Sequence, residues 1–400
     1  MEIGPIIKAL FRSKTRFLLV GLEVALTLAI VVNCVNMILD TRKTINSPTG
    51  MDEAGIIVIR SEPFDEAFKE EGYFKNARKA DLELLRSLPS VMAADAISQI
   101  PLSGSGSSSG YKPLGSEMDT LSTNIFWTGT QGVDTLGVRL VAGRNFTLSD
   151  INDSDSKNVL VTKAYADKLF PDGDALGKQI QGREPDNPHT IVGIIEQMHG
   201  SWPRWRYVEH VMLAPGEPGS MNWGVRYLVR TDPAKISTLI PTIEERLLAL
   251  NNGRNVRIET LAEVKAHTFS GDFAVMKMLS AVIVLLVFVT ALGIIGMTSF
   301  SVTERLHHIG TRRALGARKL DILRYFLTEN WLITTSGVAV GVGLTYGLNY
   351  ALVTLVDGAK LDWTLVAFGM VGMWIVGLGA TLLPAWRGAR ISPAIATRNV

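Results

Sequence analysis

Four apolar runs constrain this chain more than any other feature. They lie at about Phe17 to Leu39, Phe273 to Phe300, Trp331 to Val356 and Trp363 to Leu383. Each approaches or exceeds the roughly 20 helical residues that cross a bilayer. In hydrocarbon, every backbone N–H and C=O must be satisfied within its own segment, so such runs fold as helices. Buried core helices of a water-soluble protein would not all share this length and carry basic clusters at alternate ends. The mean hydropathy of +0.21 is likewise high for a soluble protein. A formal net charge of only +2 gives no global field directed at nucleic acid.

The basic residues orient the helices. Lys8, Arg12, Lys14 and Arg16 precede the first run, and Arg305, Arg312, Arg313, Arg318, Lys319 and Arg324 separate the second from the third. Arg387, Arg390 and Arg398 follow the fourth. Short loops rich in Lys and Arg stay in the cytoplasm, which predicts both termini inside. The expected layout is a cytoplasmic segment 1–16, a membrane helix 17–39, an external domain 40–272 and a second helix 273–300. A cytoplasmic elbow 301–330, a third helix 331–356, an external loop 357–362, a fourth helix 363–383 and a cytoplasmic tail 384–400 complete it. The first run reads as an anchor, not a cleaved signal peptide. Its apolar region is too long, and "NMILDTRKT" offers no small-residue cleavage site. The single cysteine, Cys34, falls inside this run, so the external domain is expected to rely on its own core without a disulfide.

The external segment has strand–helix–strand patterns near both ends. "GIIVIR", "ARKADLELLRSLPS" and "VMAADAIS" form the first, and "GVRYLVRT", "PAKISTLIPTIEERLLALN" and "RNVRIETLAE" the second. These halves, 55–100 and 222–262, are expected to pair into one split, ferredoxin-like α+β subdomain. The intervening 101–221 read as a β-rich insertion with strands in "NIFWTGTQG", "VRLVAG", "NVLVTK", "HTIVGII" and "EHVMLA" and one helix, "KAYADKLF". The fold class is therefore a four-helix membrane protein with a large α+β extracytoplasmic domain between its first two helices.

Chemistry-bearing motifs are weak. "DGDALGKQ" (Asp172 to Gln179) has three residues between its glycines and Gln after the Lys, so it fails the pattern that cradles a nucleotide phosphate. "SGSGSSSG" (Ser103 to Gly110) reads as a mobile loop. The adjacent His307 and His308 diverge on a helix and cannot share a metal. No catalytic, cofactor-binding or metal-binding residues are assigned. Within the membrane, Glu23 is the costly residue and a candidate polar site. Asn33 and Asn36 suit hydrogen bonds across a helix interface, and the pairs Gly337/Gly341 and Gly343/Gly347 suit close helix contact.

The densest basic stretch, "SVTERLHHIGTRRALGARKLDILRYFLT", sits between the second and third apolar runs. Ser301 to Leu315 is expected to continue the second helix, "LGA" to break it, and "RKLDILRYFLTENW" to form an amphipathic helix. This stretch resembles the cytoplasmic signature of the MacB/FtsX-like ABC transporter permeases: E-I-G, then R-A-L-G-A, I-L and a later Glu. Ile309 and Gly310, Arg313 to Ala317, Ile322 and Leu323, and Glu329 match, while His308 stands where the family usually has an acid. "PAWRGARISPAIATR" resembles the family's ending, and "LGVRLVAGRNF", "VLVTKAYADKLFPDGDALGKQI" and "TIVGII" its periplasmic core domain.

The resemblance implies a permease of the mechanotransmission type in the bacterial inner membrane. It also implies dimerisation with an identical or paralogous permease chain. ATP and Mg would be bound by a separate ABC ATPase subunit. Glu304, Arg305, Ile309, Gly310, Arg313, Leu315, Gly316, Ala317 and Asp321 are the expected coupling residues. A periplasmic adaptor and an outer-membrane channel are compatible further partners. A non-transporting relay that activates an external cell-wall hydrolase is the alternative.

Overall fold

A computed structural model describes residues 14–153, 157–182, 187–220, 224–356 and 358–390. Lys8, Arg12, Arg398, most of the C-terminal motif and the boundary at residue 222 lie outside these. The chain divides into two compact units, one of them Thr44–Gly271 and the other made of the segments up to Lys43 and from Asp272 onward.

The helical unit contains α1 (Lys14–Ile45), α8 (Ser270–Glu304), α9 (Leu306–Ala314), α10 (Lys319–Val356) and α11 (Trp363–Ala389). Among the described residues, four of these helices are long and apolar enough to cross a membrane. Val20, Val24, Leu28 and Val32 of α1 meet Ile294 of α8, Val338 of α10 and Val366 and Met373 of α11. The approach of α10 to α1 is close because Gly337 lies against Gly21 and Val24, and Gly341 against Ala25 and Leu28. Gly343 and Gly347 have only open space where a side chain would be, so they make none of the helix contact expected from their spacing. Asn33 Nδ2 donates to Thr345 O at 3.1 Å and Asn36 Nδ2 to Ala359 O at 3.0 Å. Asn349 completes this set by donating to Asn33 Oδ1 at 3.2 Å. Cys34 is buried as a free thiol.

Two helical boundaries differ from the sequence reading. The second long helix ends at Glu304 instead of running to Leu315, and a separate α9 starts at Leu306. The amphipathic "RKLDILRYFLTENW" is no independent surface helix. It forms the first turns of the 38-residue α10. No residue type within it stops a helix, so its hydrogen-bonding continues into the apolar run.

The other unit contains β1 (Ile56–Pro63), α2 (Glu71–Ser87), β2 (Val91–Ile97), β3 (Ser108–Pro113), β4 (Leu121–Thr128), α3 (Gly132–Leu136), β5 (Leu140–Gly143) and α4 (Leu148–Asn152). It continues with β6 (Asn158–Thr162), α5 (Lys163–Leu169), β7 (Gln179–Gln181), β8 (His189–Ile195), β9 (Val211–Pro215), β10 (Val225–Thr231), α6 (Ile236–Leu250), β11 (Arg254–Thr260) and α7 (Leu261–Thr268). β11, β1, β10 and β2 lie side by side in that order, all antiparallel. Both faces of this section are covered, which is why β1 reads as a continuous apolar run. Ile57 and Ile59 pack toward α2 and α6 with Tyr227, Leu85 and Ile243, whereas Ile56 and Val58 pack on the opposite face with Leu228 and Leu261.

A single register pair, Ile97 with Thr128, links β2 to β4, and the sheet continues from there without a break. From β4 it passes through β3, β7, β8, β6 and β9, and β9 pairs back onto β4 in parallel. The pairings close a ring. Side chains from its six strands, among them Tyr111, Ile125, Val161, Ile180, Ile191 and Met212, meet Tyr165 and Leu169 of α5 in one core. β3 is a correction to the sequence reading, because Ser108 to Gly110 of the Ser/Gly run enter this strand. Gln99 makes that possible: its side chain receives the N–H of Ser107 and donates to Ile125 O at 2.7 Å.

Candidate coupling site

The elbow between α8 and α10 is set by a helix stop encoded in "RRALGA". Gly316 adopts φ +98°, a backbone that side-chain-bearing residues rarely take. Gly316 N donates to Arg313 O at 3.2 Å and Ala317 N to Arg312 O at 3.0 Å, the paired bonds of a Schellman termination. α10 then begins with a reciprocal pair: Arg318 N donates to Asp321 Oδ2 at 2.9 Å and Asp321 N to Arg318 O at 3.0 Å. The carboxylate also suits the positive end of the α10 dipole. Gly316, Ala317 and Asp321 thus shape the turn and its exit.

The expected coupling residues divide by direction. Ile309, 5% exposed, packs with Val302, Ile322, Phe326, Ala385 and Ala389. Gly310 is buried beside it. Ile309 is among the expected coupling residues, yet its side chain belongs to the internal packing of the elbow. Arg305 and Arg313 also serve the elbow itself. Arg305 Nη1 donates to Glu329 Oε2 at 2.9 Å and to Tyr325 Oη at 3.0 Å. Arg313 Nη1 donates to Ala389 O at 2.7 Å, where a cation suits the C-terminal end of α11.

Leu315 points the other way. It is 83% exposed at the tip of the turn, and Leu320 at the start of α10 is 60% exposed. Arg312, Arg318 and Lys319 are exposed around them. Arg312 is nevertheless held in place, its guanidinium carbon 5.6 Å from the Tyr325 ring centroid. Glu304 is exposed at the end of α8. The site is therefore a braced turn presenting two leucines in a basic surround. The resemblance places Glu329 in the signature of this stretch, but it is not among the expected coupling residues. An acid in a stretch that begins a membrane helix was the available signal, because such a group needs a nearby cation.

Glu23 lies apart from the elbow, half-buried in α1, with its carboxylate in the space left by the missing side chain of Gly293 in α8.

Four apolar helices and a large α+β unit between the first two define a multi-pass membrane protein with an extracytoplasmic domain. Residues 19–231 match the MacB-like periplasmic core domain and residues 280–393 the FtsX-like permease C-terminal domain. The first match alone covers more than half of the chain, and the chain belongs to the MacB/FtsX-like ABC transporter permeases. The macrolide export ATP-binding/permease protein MacB of Neisseria gonorrhoeae is 24% identical over 97% of this chain and 59% of its own length. An uncharacterized ABC transporter permease of Bacillus subtilis, YvrN, is 25% identical over 69% of this chain and 71% of its own. The chain thus spans about three-fifths of the length of this MacB relative. The crystal structure of the periplasmic region of MacB from Actinobacillus actinomycetemcomitans superposes on 56% of this chain with a TM-score of 0.37 at 15% identity.

Proposed function

We propose that this chain is the permease part of a mechanotransmission-type ABC exporter of the bacterial inner membrane. An ABC ATPase outside these 400 residues docks on the cytoplasmic elbow, binds ATP and Mg, and moves the elbow as it closes. One observation carries the reading: Leu315 and Leu320 stand exposed on a turn whose base is fastened by Ile309, Arg305 and Arg313. Exposed leucines are ordinary singly, but a braced pair in a basic surround suits a groove that receives force.

The load path follows the chain. Movement at the turn passes through α9 and the Arg305–Glu329 bridge into α8. Only Phe269 separates α8 from α7, so the covalent route into the extracytoplasmic domain is short. That domain then acts on a substrate outside the inner membrane, which need not pass between the helices. Two copies, or one copy and a paralogue, give the ATPase pair its two elbows. The similar MacB proteins are named for macrolide export, and efflux is the process we infer here.

The test is retention of a co-expressed ABC ATPase by elbow variants at matched membrane levels. Leu315→Asp places a charge in the proposed groove without touching the internal packing. It should abolish retention while the protein stays folded. Normal retention and transport by this variant would leave the turn as an ordinary positive loop.

A further inference from the structure

The open end of the β-sheet offers a second interaction site. β11 terminates the strand order, and among the described residues no strand pairs its outer side. An unpaired edge presents backbone N–H and C=O groups to any extended chain. Its two faces differ in character. Val256 and Ile258 are partly buried against the core beneath α2 and α6. Asn255 and Arg257 are exposed and line a cleft of about 440 Å³ with Arg60, Glu62, Glu259 and His267.

The three arginines that share this face of the sheet are unevenly paired. Arg226, Arg60 and Arg257 are direct cross-strand partners on β10, β1 and β11. Like charges placed opposite one another oppose folding, so each needs a counter-group. Arg60 is paired with Glu259, and Arg226 Nη1 donates to Ser98 O at 3.1 Å. The Arg257 side chain has neither an ion pair nor a hydrogen bond among the described residues. It is an unmatched cation on an unmatched edge.

We propose that β11 docks an extended segment of a partner protein bearing an acidic residue opposite Arg257. Side chains of a strand alternate between faces, so the residues on either side of that acid would cover Val256 and Ile258 and should be apolar. Glu62 lies across from Asn255 on the inner side of β11 and disfavours a second acid at that end of the docked segment. Backbone pairing supplies the affinity in this mode, and the alternate side chains supply the selectivity. The site stands independently of the elbow and its ATPase.

The experiment uses the full chain in nanodiscs of zwitterionic lipid and two capped peptides, Thr-Val-Glu-Val-Thr and Thr-Val-Lys-Val-Thr. Hydrogen exchange is followed in the segment Arg254–Thr260. The Glu peptide should protect β11 and bind about tenfold more tightly than the Lys peptide, a difference typical of one close charge pair. Arg257→Glu should reverse the preference, Arg257→Ala should erase it, and Arg257→Lys should retain it. The side chain is exposed, so these variants keep the fold. Equal binding of the two peptides, absence of protection at β11, or a preference unchanged in Arg257→Glu would overturn the proposal. Protection of β11 by inorganic phosphate or by anionic vesicles without peptide would do the same, assigning the cleft to a free ion or a lipid. Protection that scales with protein concentration alone would assign it to a second copy.

Discussion

Arg305 and Glu329 meet at 2.9 Å, joining the residue that follows α8 to the second turn-pair of α10 across 24 positions of sequence. Glu329 is 10% exposed at its side chain and Arg305 23%, so the bridge is largely out of water. Removing either partner leaves the other desolvated and unmatched, at a cost of about 1–3 kcal/mol. Arg305→Ala and Glu329→Ala should each lower the thermal midpoint of the purified chain in detergent. The exchanged pair, Arg305→Glu with Glu329→Arg, should recover part of that loss. Additive effects in the double variant would mean that the contact contributes nothing to stability.

Ile309 and Leu315 lie on the same elbow and predict opposite outcomes. Ile309 is 5% exposed within a packed cluster, whereas Leu315 is 83% exposed. Ile309→Ala should destabilise by about 2–5 kcal/mol through lost contact and the cavity left behind. Leu315→Ala should change stability by less than about 0.5 kcal/mol yet weaken retention of the ATPase. Thermal denaturation and pull-down, run on the same two preparations, separate these roles. A stable Ile309→Ala with poor retention would return Ile309 to the outer surface.

The contrast between these two residues also shows what a sequence can reveal. The four membrane helices are legible because the bilayer demands long apolar runs, and those runs are local. Ile309 and Leu315 are both apolar residues in a basic helix, and nothing local separates them. Ile309 is buried because Val302, Phe326, Ala385 and Ala389 converge on it from three helices. Arg305 finds Glu329 by the same kind of remote meeting. In the β-rich part, the strands of "NVLVTK" and "HTIVGII" announce themselves by composition. β3 hides in a Ser/Gly run because its pairing is supported by Gln99 and not by β-forming side chains. The parallel pairing of β4 with β9 closes the ring across nearly ninety residues and leaves no periodic trace.

Asp95 should make the extracytoplasmic domain less stable as pH rises. Its carboxylate accepts from Ala96 N at 2.9 Å and Gln131 N at 2.8 Å, and Arg86 stands 3.5 Å away. Burial outweighs these favourable contacts and raises its pKa to about 6. A raised acid is held neutral in the fold. Its stabilising contribution is full below the unfolded value near 4 and is lost as pH climbs through about 6. The loss is about 3 kcal/mol at roughly 1.4 kcal/mol per pH unit. Asp95→Asn keeps the shape and cannot ionise, so its stability should be flatter between about pH 4 and about pH 7. Denaturation of both proteins across that range, read by tryptophan fluorescence, gives the comparison. A wild-type domain that instead gains stability relative to Asp95→Asn as pH rises would show that Arg86 and the two N–H donors prevail over burial.

Phe64 and Leu315 should lie on opposite sides of the membrane. The alternation of basic clusters around the four apolar runs requires the elbow inside and the α+β domain outside. Phe64 is 72% exposed just beyond β1, and Leu315 is 83% exposed at the elbow tip. Cys34 is the only cysteine in the sequence and is buried, so Cys34→Ala supplies a background without thiols at little structural cost. On that background Phe64→Cys and Leu315→Cys each carry one accessible thiol. In cells with a permeabilised outer membrane, or lacking one, an impermeant maleimide should label Phe64→Cys and leave Leu315→Cys unmodified. Leu315→Cys should become reactive once the inner membrane is opened by detergent, which shows that its silence reflects sidedness and not burial. Labelling of Leu315→Cys on sealed cells with Phe64→Cys protected would invert the topology, and the elbow could then receive no cytoplasmic ATPase.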